Sequence, residues 1–475
     1  MRRGLAVPVA VIVAAGALAP SAEAHGISQR SDLPIPEWLF AWAAAVVLVI
    51  SFVALASLWP DPRLEGDDWR RLPRPVGRVL TSPALAVVCG AVGVVLLGLV
   101  IYSGLVGQQT ASANFAPNFV YVAFWVGLVP ISVLFGDVFR VFNPWYAIGR
   151  AVAWVSGRVA GQSLPAPLTY PERLGRWPAV VGIALFAWLE LVYTDGDVPR
   201  TVALASFAYS AVTFIGMSLY GVEAWINRAE AFSVYFNLFA RVSPWERRGR
   251  EVGLRRPLAG LAKLDFQPGT VALLAVMIGT VTFDGASEGP LVQSLGPALA
   301  RGIEGLGLDP GTAVEIAYTA GVLVSVLLVY GLYRLGVAGA RTVGGQRSAA
   351  RLAAALVHTL VPIALVYVAA HYLTLLVFQG QSLVFLASDP LGTGADIFGT
   401  AGRAIDYTVL GANTVWYLQV AMVLGGHLAA LILAHDRALV LYPDGRAAVR
   451  SQYWMLAVMI AFTSLALWLL SQVNA

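Results

Sequence analysis

Charge is what this chain has least of. Only 12% of its 475 residues are Asp, Glu, Lys or Arg, and 58% are hydrophobic, whereas an ordinary globular domain is about 25% charged. A body of this size has too few polar side chains to be wrapped for water. That excludes a water-soluble enzyme, a nucleic-acid binder and a disordered tail. Cysteine is nearly missing too. The single Cys89 rules out an internal disulfide framework and any CxxC metal site, and its apolar surroundings make it a small buried side chain. No Walker loop, Rossmann glycine run, HExxH or HxH pair occurs, so ATP-driven pumping has no support in the residues.

What is present is apolar sequence of membrane length. The first residues read as a processing signal. Arg2 and Arg3 give a positive start, 5–18 an apolar run, and Ala22-Glu23-Ala24 a small-x-small cleavage site. Residues 1–24 are expected to be removed, leaving His25 at the mature N-terminus. Ten further stretches are long enough to cross ~30 Å of hydrocarbon at about 20 residues each. They lie at 38–59, 83–106, 117–135, 177–193, 201–221, 268–283, 312–337, 352–378, 412–434 and 453–471. The sixth is short for a span. All must be helices, because lipid offers the backbone no hydrogen-bond partner.

The net charge of +4 hides a strong polarity. With the mature N-terminus outside, the inner connections carry 25 Lys or Arg and the outer ones four, Arg30, Arg200, Arg301 and Arg403. That split satisfies the positive-inside rule at every alternation. The expected fold is an all-α integral membrane protein, a bundle of about ten transmembrane helices in the plasma membrane with both termini outside. Its primary partner is the lipid bilayer. The inner segment 222–266 combines an amphipathic stretch from Glu223 to Phe236 with a basic run, suited either to a helix lying on anionic lipid or to an ordinary positive-inside loop. The outer segment 379–413 is glycine-rich yet carries Leu383, Val384, Phe385, Ile397 and Phe398, which suits a folded lid better than disorder.

Ionisable residues inside spans cost several kcal/mol unless partnered, so they are the best pointers to function. Four stand out: Glu190, His358, His371 and His427, with Asp284, Asp137 and His435 at span ends. Counting inward from Arg351 puts His358 about 10 Å deep, and counting from Asp436 puts His427 about 13 Å deep. The two histidines therefore reach similar depth on antiparallel spans, either to pair there or each to hydrogen-bond a backbone carbonyl in a packed bundle. Pro362 leaves the carbonyl of His358 without its helical donor, and Gly425-Gly426 allows close helix approach. In the outer half, Glu190, Asp284, His371 and Tyr372 are candidates for a pocket that takes a divalent metal ion, a proton or a polar solute. His25, once freed, has an amine and an imidazole able to chelate Cu(II), although an ordinary cleavage junction needs no such role.

Several segments resemble a family of bacterial, often actinobacterial, multi-span proteins labelled fenitrothion hydrolase. They include Phe142-Asn-Pro-Trp145, Tyr170-Pro-Glu-Arg-Leu-Gly175, Glu230-Ala-Phe-Ser-Val-Tyr-Phe236, Thr282-Phe-Asp-Gly285, Ala370-His-Tyr372, Ser388-Asp-Pro-Leu391 and Ala434-His-Asp-Arg437. The resemblance implies hydrolysis of an organophosphate triester at the membrane. It carries over no catalytic residues; the residues themselves offer Glu190, Asp284 and His371 as catalytic acid/base candidates and His358, His427 and His25 as candidate metal ligands. The residues themselves allow a second function, a secondary transporter for a small solute or ion. Glu190 is then its coupling group, His358 and His427 an inner relay, and Pro130 and Pro362 its helix breaks.

Overall fold

The computed structural model describes residues 37–162, 165–343 and 348–473. The signal segment 1–24 and His25 lie outside the described residues. Nine helices among them are long and apolar enough to cross a membrane. They coincide with the second to tenth expected spans. The first expected span is helix α1, Glu37–Leu58. It is followed by α2 (Pro83–Val106) and α3 (Phe115–Phe135), then by the surface helix α4 (Pro144–Ala160). Next come α5 (Trp177–Leu191), α6 (Pro199–Tyr220) and the short α7 (Ala231–Ala240). The second half holds α8 (Thr270–Ser287), α9 (Pro290–Glu304), α10 (Pro310–Arg341) and α11 (Ala349–His371). It closes with α12 (Leu373–Ser388), α13 (Ala412–Leu441) and α14 (Tyr453–Val473).

Two helices form the centre. The apolar windows of α8 and α11 are 72% and 78% buried, against 22% for the window that contains α2 and 17% for α10. The span that looked short is therefore one of the two innermost, enclosed by protein along most of its length. Side chains such as Val87, Val95, Phe207 and Leu327 are at least 63% exposed. In water such a surface would aggregate, whereas in hydrocarbon it costs nothing.

Connections assigned to the same side do meet. Strand β1 (Trp69–Arg71) pairs antiparallel with β3 (Glu251–Arg255), which pairs with β2 (Trp245–Arg248), so the first and third inner connections share one sheet. Arg248 and Lys263 both bind Asp67, at 2.6 and 2.5 Å, and hold its carboxyl well below the usual range. On the opposite face the amides of Gln108 and Phe115 donate to the carbonyls of Leu391 and Pro390. Arg200 N donates there to Gln109 Oε1 at 3.0 Å. The segment expected as a lid starts as α12. It then folds back around buried Ser388, whose Oγ donates to Asp396 and accepts from the amide of Phe398.

The stretch 223–236 does not lie on the inner leaflet. Residues Val222–Arg228 form one helix and α7 a second, and nine of the ten residues of α7 are buried. With Phe232, Val234, Tyr235, Phe236, Leu238 and Phe239 spread around it, α7 has no polar face to give to water. The pair is a hairpin with Glu230 at its tip. A second hairpin, helix Val138–Phe142 and then α4, has Asn143 at its tip. Both tips reach the middle of the bundle. Phe142 and Pro144 pack on Gly93, ten residues or about 15 Å into α2. Glu230 binds Tyr209, 11 residues or about 16 Å from the inner end of α6. The amphipathic helix on the arginine-rich face is instead α4, with Val152, Trp154, Val155 and Val159 exposed and the Arg158 guanidinium 4.9 Å over the Trp154 ring. Its counterpart toward the opposite face is α9, which exposes Leu291, Leu295 and Leu299 one turn apart.

A Cβ at Gly93 would sit 1.8 Å from the carbonyl oxygen of Phe142, while one at Gly98 meets nothing within 4 Å. Gly93→Ala should therefore lower stability by about 2–3 kcal/mol. Gly98→Ala should leave it unchanged or raise it slightly, through helix propensity. Thermal unfolding in detergent separates the two, and equal melting would contradict the close approach.

Candidate functional site

The outer half of the central helix pair brings three polar side chains together. Asp284 lies in the last turn of α8, and His371 ends α11. The chain then breaks at Tyr372, whose φ of −92° and ψ of 15° turn its ring back toward α8. His371 Nε2 is 2.8 Å from Asp284 Oδ2, and the Tyr372 hydroxyl donates to the same oxygen at 2.6 Å. Because a carboxylate only accepts, Nε2 carries the imidazole proton here, and Nδ1 is left as the other face of the ring. The imidazole packs against α8 at Gly285, where a Cβ would stand 3.6 Å from Nδ1, an ordinary van der Waals contact.

Glu190, one residue from the end of α5, lies within electrostatic reach of Asp284. Its Oε2 is buried without a hydrogen-bond partner. Trp125 packs on Tyr372 with ring centroids 4.9 Å apart. It sits on a ten-residue π-helical stretch, Asn118–Gly127, that breaks the regular turn of α3, a distortion often found at functional sites. The same stretch presents Tyr121, whose hydroxyl closes the outer side by donating to Gly196 O at 2.6 Å. Beneath His371 a small apolar cavity is lined by Val281, Tyr367 and Val423.

The inner histidines are placed differently from their expected pairing. His427 is wholly buried, donates Nδ1–H to Val423 O at 2.8 Å, and has no partner for Nε2. His358 lies in a tight 3-10 turn, Val357–Thr359, where the missing amide of Pro362 was expected to loosen the helix. It meets the carbonyl of Leu433, six residues and about 9 Å along α13 from His427. The depth count failed because Asp436 is not at the water boundary. It is 1% exposed, and α13 continues to Leu441. The close approach at Gly426 does occur: a Cβ there would be 2.3 Å from Val366 of α11.

Among the described residues no three His, Cys, Asp or Glu side chains gather as a metal-binding group. The candidates are spread instead: Asp284, Glu190 and His371 gather near one end of α11, His427 packs beside Tyr367 one turn further in, and His358 lies nine residues beyond Tyr367.

The motif around Asp436 has a structural task. Asp436 Oδ1 accepts from Trp59 Nε1, Arg63 N and Leu64 N at 3.0, 2.6 and 3.3 Å. His435 Nε2 donates to Trp59 O at 3.0 Å, so its Nδ1 accepts from Gln452 at 3.2 Å. Together they fasten the chain leaving α1 to α13.

Two features escaped the reading of the residues. Gly285-Ala-Ser287-Glu-Gly289 has the spacing of a hydrolase nucleophile elbow, which requires a strand-to-helix turn. Here Ser287 ends a helix and its Oγ donates to Asp284 O at 2.6 Å. The second is the buried contact of Asn143 with Glu230, signalled by Asn-Pro at a helix start inside what was read as a plain inner loop.

No protein-family profile matches the chain, and no curated protein or solved structure does so either. What fold and site together define is an all-α, multi-span membrane protein with one shielded acid–imidazole–phenol cluster at its centre.

Proposed function

We propose that the protein is a proton-coupled secondary transporter of the plasma membrane, with its arginine-rich face inward. The outer cluster loads and releases one proton per cycle. The observation that carries this reading is the pairing of Glu190 with Asp284. Asp284 is satisfied by His371 and Tyr372, while a buried oxygen of Glu190 beside it has no partner. Two carboxyl groups shielded from water and within reach of each other hold one negative charge at lower cost than two. The pair is thus suited to carry a single exchangeable proton, with Glu190 as the mobile partner. His371 Nδ1, the cavity below it and the unpartnered Nε2 of His427 give that proton a direction of travel along the α11–α13 seam.

Infrared difference spectra of the reconstituted protein, taken between mildly acid and mildly alkaline pH, provide the test. A carboxylic-acid C=O band should appear on acidification and vanish in Glu190→Gln. If neither Glu190→Gln nor Asp284→Asn removes a titrating band, the proton site is wrong.

A further inference from the structure

We propose that Glu230, at the meeting point of the two inner hairpins, is a second proton-binding carboxyl, reached from the inner face and insulated from Glu190 by an aromatic partition. Glu230 is 1% exposed. Its Oε1 accepts from the Tyr209 hydroxyl at 2.5 Å and Phe232 N at 3.0 Å. Its Oε2 accepts from Ser233 N at 2.9 Å and Asn143 Nδ2 at 3.0 Å. The groups that face it are Tyr209 from α6, Asn143 from the first hairpin, Ser233 from α7, and the apolar Gly182 region of α5 that packs on Ala231. Tyr209 is the only titratable side chain among them, and no Arg or Lys of the described residues is in contact.

Capping alone does not call for this residue. The N-terminus of α4 is capped in the same network by neutral Asn143, which accepts from Tyr146 N at 2.8 Å, and neutral caps serve helix starts as well as acidic ones. A full carboxyl in mid-membrane is expensive to keep unless its charge state is used.

Polar groups of α4 lead from Glu230 toward the inner face without forming one continuous hydrogen-bonded chain. Asn143 Oδ1 accepts from the Tyr146 amide at 2.8 Å, and the Tyr146 hydroxyl, at the far end of that side chain, donates to Glu223 at 2.6 Å; Glu223 is 61% exposed and paired with Arg140 at 2.7 Å. In the other direction there are only rings. Phe232 packs on Phe186, Phe186 on Trp125 and Trp125 on Tyr372, at centroid distances of 5.2, 5.1 and 4.9 Å. Along α5, Glu190 is eight residues, about 12 Å, from Gly182 at the level of the tip. A proton arriving from the inner water binds Glu230 Oε1 as the Tyr209 hydroxyl turns from donor to acceptor, and it leaves on the same side. It crosses to Glu190 only when the partition reorganises. Two carboxyls with opposite access and a dry barrier between them would keep the coupling proton from leaking between cycles, so this inference rests on the transport reading and deepens it.

The experiment uses the full chain in lipid nanodiscs and the same infrared pH difference. Glu230→Gln should remove a carboxyl band that persists in Glu190→Gln and in Asp284→Asn. Tyr209→Phe should shift that band without removing it, because Phe232 N still holds the same oxygen. A folded Glu230→Gln protein with an unchanged spectrum overturns the proposal. If Glu230→Gln does not fold, the absence of any shift in Tyr209→Phe overturns it equally. Loss of a band in Glu230→Gln but in neither outer variant would leave Glu230 standing and remove the outer site.

Discussion

Asp284→Asn is expected to cut proton flux by about a hundredfold, the scale on which one positioned acid or base contributes to proton transfer. The assay is reconstituted vesicles holding a pH-sensitive dye, with an imposed potassium diffusion potential. Asparagine keeps the shape and an acceptor oxygen, so the Tyr372 hydroxyl at 2.6 Å retains a partner and the fold survives. What is lost is the negative charge that orients His371 and that shares a proton with Glu190. Tyr372→Phe, which removes a donor but no charge, should cost far less. Flux in Asp284→Asn equal to wild type would sink the assignment. If purified wild type instead releases the aryl alcohol from fenitrothion and Asp284→Asn does not, the hydrolase implied by the resemblance takes the place of transport.

The second large effect is on stability. Asp436→Ala should destabilise the protein by about 3–5 kcal/mol, as expected when a buried, fully hydrogen-bonded charge is deleted. Three donors lose their acceptor at once: Trp59 Nε1, Arg63 N and Leu64 N. All belong to the turn that follows α1. Asp436→Asn keeps one acceptor oxygen and should lose less. Denaturant titration in mixed micelles measures both, and a change in Asp436→Ala within about 0.5 kcal/mol, the range of an ordinary surface substitution, would show that the clamp is idle.

The helices were legible because hydrocarbon makes a simple demand, an unbroken apolar run of fixed length, and the grouping of the first and third basic connections on one face because arginine obeys a local rule. Local chemistry was legible too. Pro362 marked the tight turn at His358, and Gly426 marked the close contact with Val366. Asp284, His371 and Tyr372 were each marked as polar residues in an apolar chain. Their mutual contact was not, since it bridges 87 residues and depends on how two helices are rotated about their axes. Depth misled where an acidic residue was taken for a surface marker. Asp436 is buried because the turn at 59–65 supplies its donors, and nothing near it in sequence says so. The hairpin tips were missed for a related reason: a chain that enters the bundle and returns has the length and arginine content of an ordinary loop.

The clamp at Asp436 also has a place in time. Trp59 and Asp436 are 377 residues apart in the chain. At about 5–20 residues per second, synthesis of that interval takes roughly 20 to 75 seconds. Throughout it α1 waits in the bilayer without the partner that fixes its end. Its aromatic contacts follow the same schedule, because Phe40 meets Trp416 on α13 and Phe52 meets Tyr453 on α14. The first of the described helices to be made is therefore among the last to be locked.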